Sequence, residues 1–371
     1  MSNLKKRIAE LSKDENLSKA EIARKLQKEF PEYSFDALRF KTSRIMKKHS
    51  NSAIYEQCKE LGIDPDKVNH YWYKGKHYSI HVNNKDEFSF EDFKKDLVSE
   101  ISKWSPNYPK ISRDRYNDPH CLVFSPADIH IGKLCSAFET GEEYNQQIAV
   151  KRVLEGLDGI LKKSNGFDIE KIIFIAGNDI LHIDTPRRTT TSGTPQDTDG
   201  MWYENFITAK RLLVDIIEKL VMVADVEVYY NPSNHDYMSG FMLFDSVSAW
   251  FRNHEHIQFY GDMSHRKYTC DGKNLIGMTH MDGAKKEDLP LLMAHEAAMH
   301  WAFCPHRYIY GHHVHHKTSK DIMSVCVETL RSPSGTDSWH HKNGYQHSPK
   351  AIEAFVHHKD HGQVARLTHL F

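Results

Sequence analysis

The sequence contains no long apolar run. No window approaches 18 uncharged apolar residues, whereas a membrane-spanning helix needs about 20. The opening stretch, MSNLKKRIAELSKDENL, also lacks the apolar core of a signal peptide. No membrane partner is expected, and a soluble cytoplasmic protein is. Cysteine is sparse: six residues, at 58, 121, 135, 270, 304 and 326, with no C-x-x-C pair. That spacing fits free thiols in a reducing compartment. Net charge is nearly absent, with 49 Lys and Arg against 50 Asp and Glu, so the overall balance points to no partner. Internal repeats and low-complexity tracts are missing too, which excludes solenoid architectures.

What is present begins with size and charge distribution. The 371 residues, 39% of them hydrophobic, suffice for two domains or for one large domain with an appendage. Residues 1–50 hold 13 Lys and Arg against 7 Asp and Glu, so a basic head precedes an acidic body. Such a head suits a polyanion. Its pattern is helical. LKKRIAEL is amphipathic, and Ser18 with Glu21 forms a capping box ahead of KAEIARKLQKEF. Ser34 then caps FDALRFKTSRIMKKH, which carries Arg39, Lys41, Arg44, Lys47 and Lys48. Helix, short turn and basic helix make a helix-turn-helix-like domain over 1–50, with those five side chains as candidate DNA contacts. The other reading of the same pattern is a packing domain with a solvated basic face.

Residues 51–118 are expected to hold a small hairpin, a helix and a linker. NHYWYKGKHYSIHVNN alternates aromatic and polar residues about a Lys-Gly turn. Its Tyr71, Trp72, Tyr73 and Tyr78 either form the hairpin's own core or stack on bases. FEDFKKDLVSEISKW is amphipathic, and the proline-bearing SPNYPKISRDRYNDP reads as a linker.

From residue 119 the texture changes. Short apolar runs recur, each closing on a polar cluster: CLVFSPADIH, KIIFIAGNDILH, VEVYYNPSNHD, LIGMTHMD and RYIYGHHVHH. Amphipathic helices such as YNQQIAVKRVLEGLDGILKK and ENFITAKRLLVDIIEKLVMV lie between them. Alternating apolar strand, loop and helix predict an α/β layered domain over 119–371, with strands buried on both faces. Ligands in such sheets bind outside the strand carboxyl ends, where the five clusters fall.

The clusters read as metal-ligand sets. Asp128-x-His130 and His313-x-His315 have the period-two spacing that, on an extended segment, puts both side chains on one side. Asp179 could bridge two cations with its two oxygens, and Asn234, His235 and His280 follow the next two strands. Of 26 histidines, 15 lie between 280 and 371, and neutral imidazole is the commonest protein metal ligand. Mixed imidazole, carboxylate and amide donors suit Mn²⁺, Fe²⁺ or Zn²⁺. The absence of a thiolate argues against a structural zinc site.

The motif order D-x-H, G-D, G-N-H-D, H and G-H-x-H resembles the calcineurin-like metallophosphoesterase superfamily over about residues 120–371. The resemblance implies a sheet sandwich flanked by helices and two divalent cations, Mn²⁺ first among the candidates. It implies that Asp128, His130, Asp179 and His315 hold one cation, and that Asp179, Asn234, His280 and His313 hold the other. His235 would then be an acid or phosphate contact. GNDILH is similar to the G-G-D-L-F-H of double-strand-break repair exonucleases, which implies that His182 faces substrate. GHHVHHKT…SPSGTDSWHHKNGY is similar to phosphoesterases of bacteriophage genomes. This chain departs from the pattern at Asn178 and Ser233, where the family has glycine, and at His312, which occupies the glycine place of G-H-x-H. Asn tolerates unusual backbone angles.

Two further stretches border the site in sequence. Residues 184–205 form a long polar loop whose Arg187 and Arg188 either grip substrate phosphates or lie on a flexible surface. SWHHKNGY either offers Trp339, His340 or His341 to a base or merely packs. The expected function is two-metal phosphodiester hydrolysis on DNA. The alternatives are a phosphatase or phosphodiesterase acting on a nucleotide, another small molecule or a phosphoprotein, and a non-enzymatic DNA-binding regulator.

Overall fold

The apolar runs that close on polar clusters become strands of two facing sheets in the computed structural model. The structure describes residues 3–12, 17–31, 33–49, 70–74, 79–83, 94–95, 98, 111–113 and 116–371. These fall into two compact units, Met1–Trp104 and Ser105–Phe371.

In the first unit, helices Asn3–Leu11, Lys19–Glu29 and Phe35–His49 close on a small core of Leu4, Ile8, Ile22, Ala23, Leu26 and Leu38. The expected capping box is present. The Glu21 amide donates to Ser18 Oγ at 3.3 Å, and the Ser18 amide donates to Glu21 Oε2 at 2.8 Å. Ser34 caps the third helix through the Ala37 amide, 3.3 Å from its Oγ. Arg7 ties the first helix to the second through Glu29, with Nε 2.8 Å from Oε2. On the third helix Arg39 and Lys41 are exposed, and Lys41 Nζ sits 4.2 Å from the Tyr33 ring centroid. The side chains of Arg44, Lys47 and Lys48 lie outside the described residues. The expected hairpin forms as an antiparallel pair, His70–Lys74 (β1) with Ser79–Asn83 (β2). Its Lys-Gly turn and the stacking roles of Tyr71, Trp72, Tyr73 and Tyr78 lie outside the described residues, as does most of FEDFKKDLVSEISKW.

In the second unit, Pro119–Phe124 (β3), Asp168–Gly177 (β4), Asp225–Asn231 (β5) and Ile257–Tyr260 (β6) run parallel. A second sheet holds Arg266–Asp271 (β7), Asn274–Thr279 (β8), His306–Gly311 (β9), Thr318–Ile322 (β10) and Val325–Thr329 (β11), in the order β10-β11-β9-β8-β7. Here β8, β9 and β11 are parallel, and β7 and β10 are antiparallel edges. Ala351–His358 (β12) and Gly362–Leu370 (β13) return antiparallel beside β3, which gives the first sheet the order β13-β12-β3-β4-β5-β6.

The sheets bury their facing sides together. Cys121, Val123, Ile173, Ile175, Tyr229 and Phe355 of one meet Ile276, Met278 and Tyr310 of the other. Burying each of these side chains is worth about 1.5–3 kcal/mol. The far side of the first sheet is covered by Gln146–Ser164, Trp202–Val221 and Tyr237–Trp250. The far side of the second is covered through Leu289, Met293 and Ala297. Buried on both faces, the strands read as continuous apolar runs. The expected α/β sandwich flanked by helices is the observed fold.

Part of the proline-bearing stretch is tied to this unit: Arg113 Nε donates to Asp225 Oδ1 at 2.8 Å, and the Asn117 amide donates to Asp168 Oδ2 at 2.6 Å. The described cysteines are all free. No helix among the described residues is long and apolar enough to cross a membrane.

Candidate metal centre

Because β3, β4 and β5 are parallel in one sheet, and β8 and β9 in the other, the loops leaving their carboxyl ends converge. Those loops carry Asp128 and His130, Asp179, Asn234 and His235, His280, and His313 and His315. Two ligand groups result, Asp128 with His130 and His315, and Asp179 with His280 and His313; within each, the donor atoms lie within 4.8 Å of one another. Asp179 lies between the groups. Its Oδ2 is 3.2 Å from His280 Nε2 and 4.0 Å from His130 Nε2. Asn234 Oδ1 is 2.9 Å from His280 Nε2, and Asp128 Oδ1 is 3.4 Å from His315 Nε2.

The backbone reaches these positions differently from the sequence expectation. Asp128 and His130 do not alternate along an extended segment. Both adopt left-handed backbone, with φ of 52° and 51°, and so do His313 at 68° and His315 at 55°. Asn178 and Asp179 add φ of 56° and 58°. Such conformations cost about 1–3 kcal/mol each outside glycine and persist only where surrounding contacts over-determine them. The contacts are visible. The Asp128 amide donates to Asn178 O at 2.8 Å, the His130 amide to Asp179 O at 2.9 Å and the Ile131 amide to Ile180 O at 2.7 Å. Tyr144 Oη donates to Ile129 O at 2.6 Å, and Ser332 Oγ to Asp128 O at 2.7 Å. The two ligand loops are thus laced to each other and to the scaffold. Asn178, in the family's glycine place, does adopt the backbone that glycine would.

One true glycine is required here. Gly177 ends β4 at φ 83°, and a Cβ on it would lie 2.2 Å from Asn231 O. We expect Gly177→Ala to cost about 2 kcal/mol or more, from strain and from displacement of β5. Urea unfolding of the purified variant measures this, and a midpoint equal to the parent's would contradict it.

Electrostatics agree with a cation site. Asp128 is fully buried and Asp179 nearly so. Burial alone would raise the Asp179 carboxyl, but the charge and hydrogen bond of His280, followed by His235, outweigh it and hold the group well below the usual carboxylate range. Burial lowers His280, yet Asp179 and Asp128 outweigh that and raise it to about 9. Burial keeps His130, His313 and His315 below the ordinary imidazole range. Neutral imidazoles and ionised carboxylates are the forms that bind metals. The donor set therefore fits a pair of divalent cations, and it contains no thiolate.

Beside this centre, His182 and His235 stack at 5.3 Å with 20° between ring planes, and both fall within ligand distance of His130. His235 Nδ1 donates to His182 O at 2.9 Å, which leaves Nε2 free. His312 is buried on Ser125, with Nε2 3.0 Å from Oγ, and belongs to neither ligand group. His316 turns to its own loop, Nδ1 2.7 Å from Val314 O. Arg187 and Arg188 are exposed, on a loop pinned by the Thr191 amide to Asn234 O at 3.3 Å.

Supports that motif reading passed over include Ser233 and Asp236. Ser233 Oγ accepts from the Asp179 amide at 2.7 Å and donates to Asp236 Oδ1 at 2.7 Å. Asp236 Oδ2 accepts from the Leu181 amide at 2.9 Å. Burial, reinforced by the Asp179 charge, pushes Asp236 up to about 7. Its place in SNHD was the only sequence signal. Ser332 had none, because it arrives from the far end of β11.

No family model matches the chain, and no curated protein does. Solved structures similar to it include a novel archaeal phosphodiesterase, at 10% identity and TM-score 0.32, covering 68% of this chain and 99% of that one. Vps29 of Chaetomium thermophilum is similar at 10% identity and TM-score 0.32, covering 68% and 96%. A conserved protein of Streptococcus pneumoniae described as a predicted phosphoesterase is similar at 13% identity and TM-score 0.26, covering 70% and 99%.

Proposed function

We propose that the second unit hydrolyses phosphodiester bonds with two divalent cations, Mn²⁺ first among the candidates, and that its substrate is DNA. The observation that carries this is the reach of Asp179, whose Oδ2 lies 3.2 Å from His280 Nε2 in its own group and 4.0 Å from His130 Nε2 in the other, the two groups coming from four separate strand ends. Asp128, His130 and His315 would hold one cation, and Asn234, His280 and His313 the other, with Asp179 shared. Two such cations, when bound, polarise a phosphoryl group and activate water. The chain's own residues do the rest. With Nδ1 donating to His182 O, His235 would turn Nε2 to substrate and, as the imidazolium, would donate its Nε2 proton to the leaving oxygen. His182 stacks behind it and holds its plane. Arg187 and Arg188, exposed on the loop after the second cluster, would grip flanking phosphates.

The DNA assignment draws on the basic third helix, with Arg39, Lys41, Arg44, Lys47 and Lys48 as phosphate contacts. Removing residues 1–104, the first compact unit, tests it. We expect the truncated protein to turn over a small chromogenic phosphodiester normally and to bind duplex DNA more weakly. The salt dependence should flatten by about 0.9 log unit per log unit of salt for each phosphate that is no longer neutralised. Equal salt slopes for the two proteins would return the substrate to a nucleotide, another small molecule or a phosphoprotein. Failure of hydrolysis by both would favour a DNA-binding regulator.

A further inference from the structure

The short helix Ser338–Lys342 stands at the rim of the metal centre and is fixed there by its cap. Asp337 accepts from the His340 amide at 2.8 Å and from His340 Nδ1 at 2.7 Å. Its other oxygen takes Lys133 Nζ at 2.8 Å, and Lys133 is 1% exposed. A buried cation and a carboxylate therefore clamp the helix from beneath. So held, the His340 ring stacks on the ligand candidate His315, with centroids 5.3 Å apart and planes 14° from parallel. His340 is thus occupied within the protein.

Its neighbour is not. Trp339 is 61% exposed, and Tyr345 beside it is 64% exposed. Their rings lie 5.7 Å apart, tilted by 36°. The backbone beneath them is set: the Asn343 amide donates to Trp339 O at 3.1 Å, and the Tyr345 amide to His340 O at 2.9 Å. Trp339 is 5.1 Å from His340, which is 5.3 Å from His315, so two ring-to-ring steps join the exposed indole to the metal ligands. Exposed Lys342 adds positive charge on the same helix. Two large flat rings left in water on a rigid support are costly unless something covers them. The partner that matches flat faces two ring-to-ring steps from the proposed phosphodiesterase centre is a nucleobase of the strand whose phosphate that centre would take.

Resting on the phosphodiesterase reading above, we propose that Trp339 and Tyr345 form a stacking platform for a base of single-stranded nucleic acid whose adjacent phosphate enters the metal centre. A paired base has both faces covered by its neighbours in the duplex. The platform therefore selects an unstacked strand and is indifferent to sequence, because every base has a π-face.

The test is equilibrium binding, which needs no turnover. Fluorescence anisotropy in Ca²⁺ compares a labelled short oligothymidylate with an abasic strand of the same length. The proteins are the full chain, Trp339→Ala/Tyr345→Ala and Trp339→Phe. The parent should prefer the thymidylate by about tenfold to a hundredfold. The double variant should bind thymidylate no better than the abasic strand, and Trp339→Phe should keep most of the preference. A parent without preference overturns the proposal. So does a double variant that keeps the preference, as it would if the rings served a protein partner. Hydrolysis of methyl p-nitrophenyl phosphate by the Mn²⁺-loaded parent reports separately on the phosphodiesterase reading. Turnover there without a base preference sinks the platform alone, whereas a base preference without turnover sinks the hydrolase reading and leaves the platform standing.

Discussion

Asp179→Asn is expected to abolish hydrolysis and to lower metal occupancy. A carboxylate shares its charge between two oxygens and can bridge two cations, whereas an amide offers one neutral oxygen. The substitution leaves the rest of the loop intact. Asn tolerates left-handed backbone well, so the φ of 58° is retained. The Asp179 amide still reaches Ser233 Oγ, and an amide oxygen can still accept from the His235 amide, now 3.0 Å from Oδ1. The loop geometry should therefore survive, and the loss should fall on the charge that Asp179 supplies. Cations at such centres supply several kcal/mol of charge stabilisation, so turnover of an aryl phosphodiester should fall at least about a thousandfold. Elemental analysis after Mn²⁺ loading should find fewer than two ions per chain. A variant that carries two ions and full activity would remove Asp179 from the bridge.

His235→Ala should keep both ions and lose about 10²–10⁴-fold in turnover, the usual contribution of an acid–base group. The His235 side chain is already engaged by the protein. Its ring packs against His130 at 4.6 Å and stacks on His182, while Nδ1 is committed to a carbonyl. One competing arrangement is plain in the structure, because His130, His182 and His235 also lie within ligand distance of one another. Metal content of the variant distinguishes the two roles. If an ion is lost with the imidazole, His235 is a ligand and the assignment above fails. If both ions remain while turnover collapses, His235 acts on the substrate.

Much of this was legible in the amino-acid order. The capping box at Ser18 and Glu21 is a local signal, since both partners sit within one turn of helix. The five apolar runs closing on polar clusters were legible as buried strands, because a parallel strand covered on both faces admits few polar residues. His313 and His315 each fall in one of the ligand-distance groups, while His312 sinks onto Ser125. Other features were not local. β12 and β13 come from the end of the chain to lie beside β3, a pairing across more than two hundred residues that no window of sequence contains. Ser332 supports Asp128 for the same kind of reason. The expectation that Asp128-x-His130 lies on an extended segment failed because period-two spacing is only one way to aim two side chains together. Hydrogen bonds from the Asp128, His130 and Ile131 amides to the carbonyls of Asn178, Asp179 and Ile180 hold the loop left-handed instead.

The sequence by itself determined the kinds of donor, their order and their attachment to strand ends, because strand burial and ligand chemistry are both written residue by residue. Only the tertiary structure decided which donors come together, since Asp128 and His315, or Asp179 and His280, meet only after two sheets have packed face to face. It likewise decided that His340 is spent on His315 and Asp337 while its neighbour Trp339 stays in solvent. On a short helix, which of two adjacent rings turns inward is set by the partner waiting beneath it. Here that partner comes from loops distant in the chain.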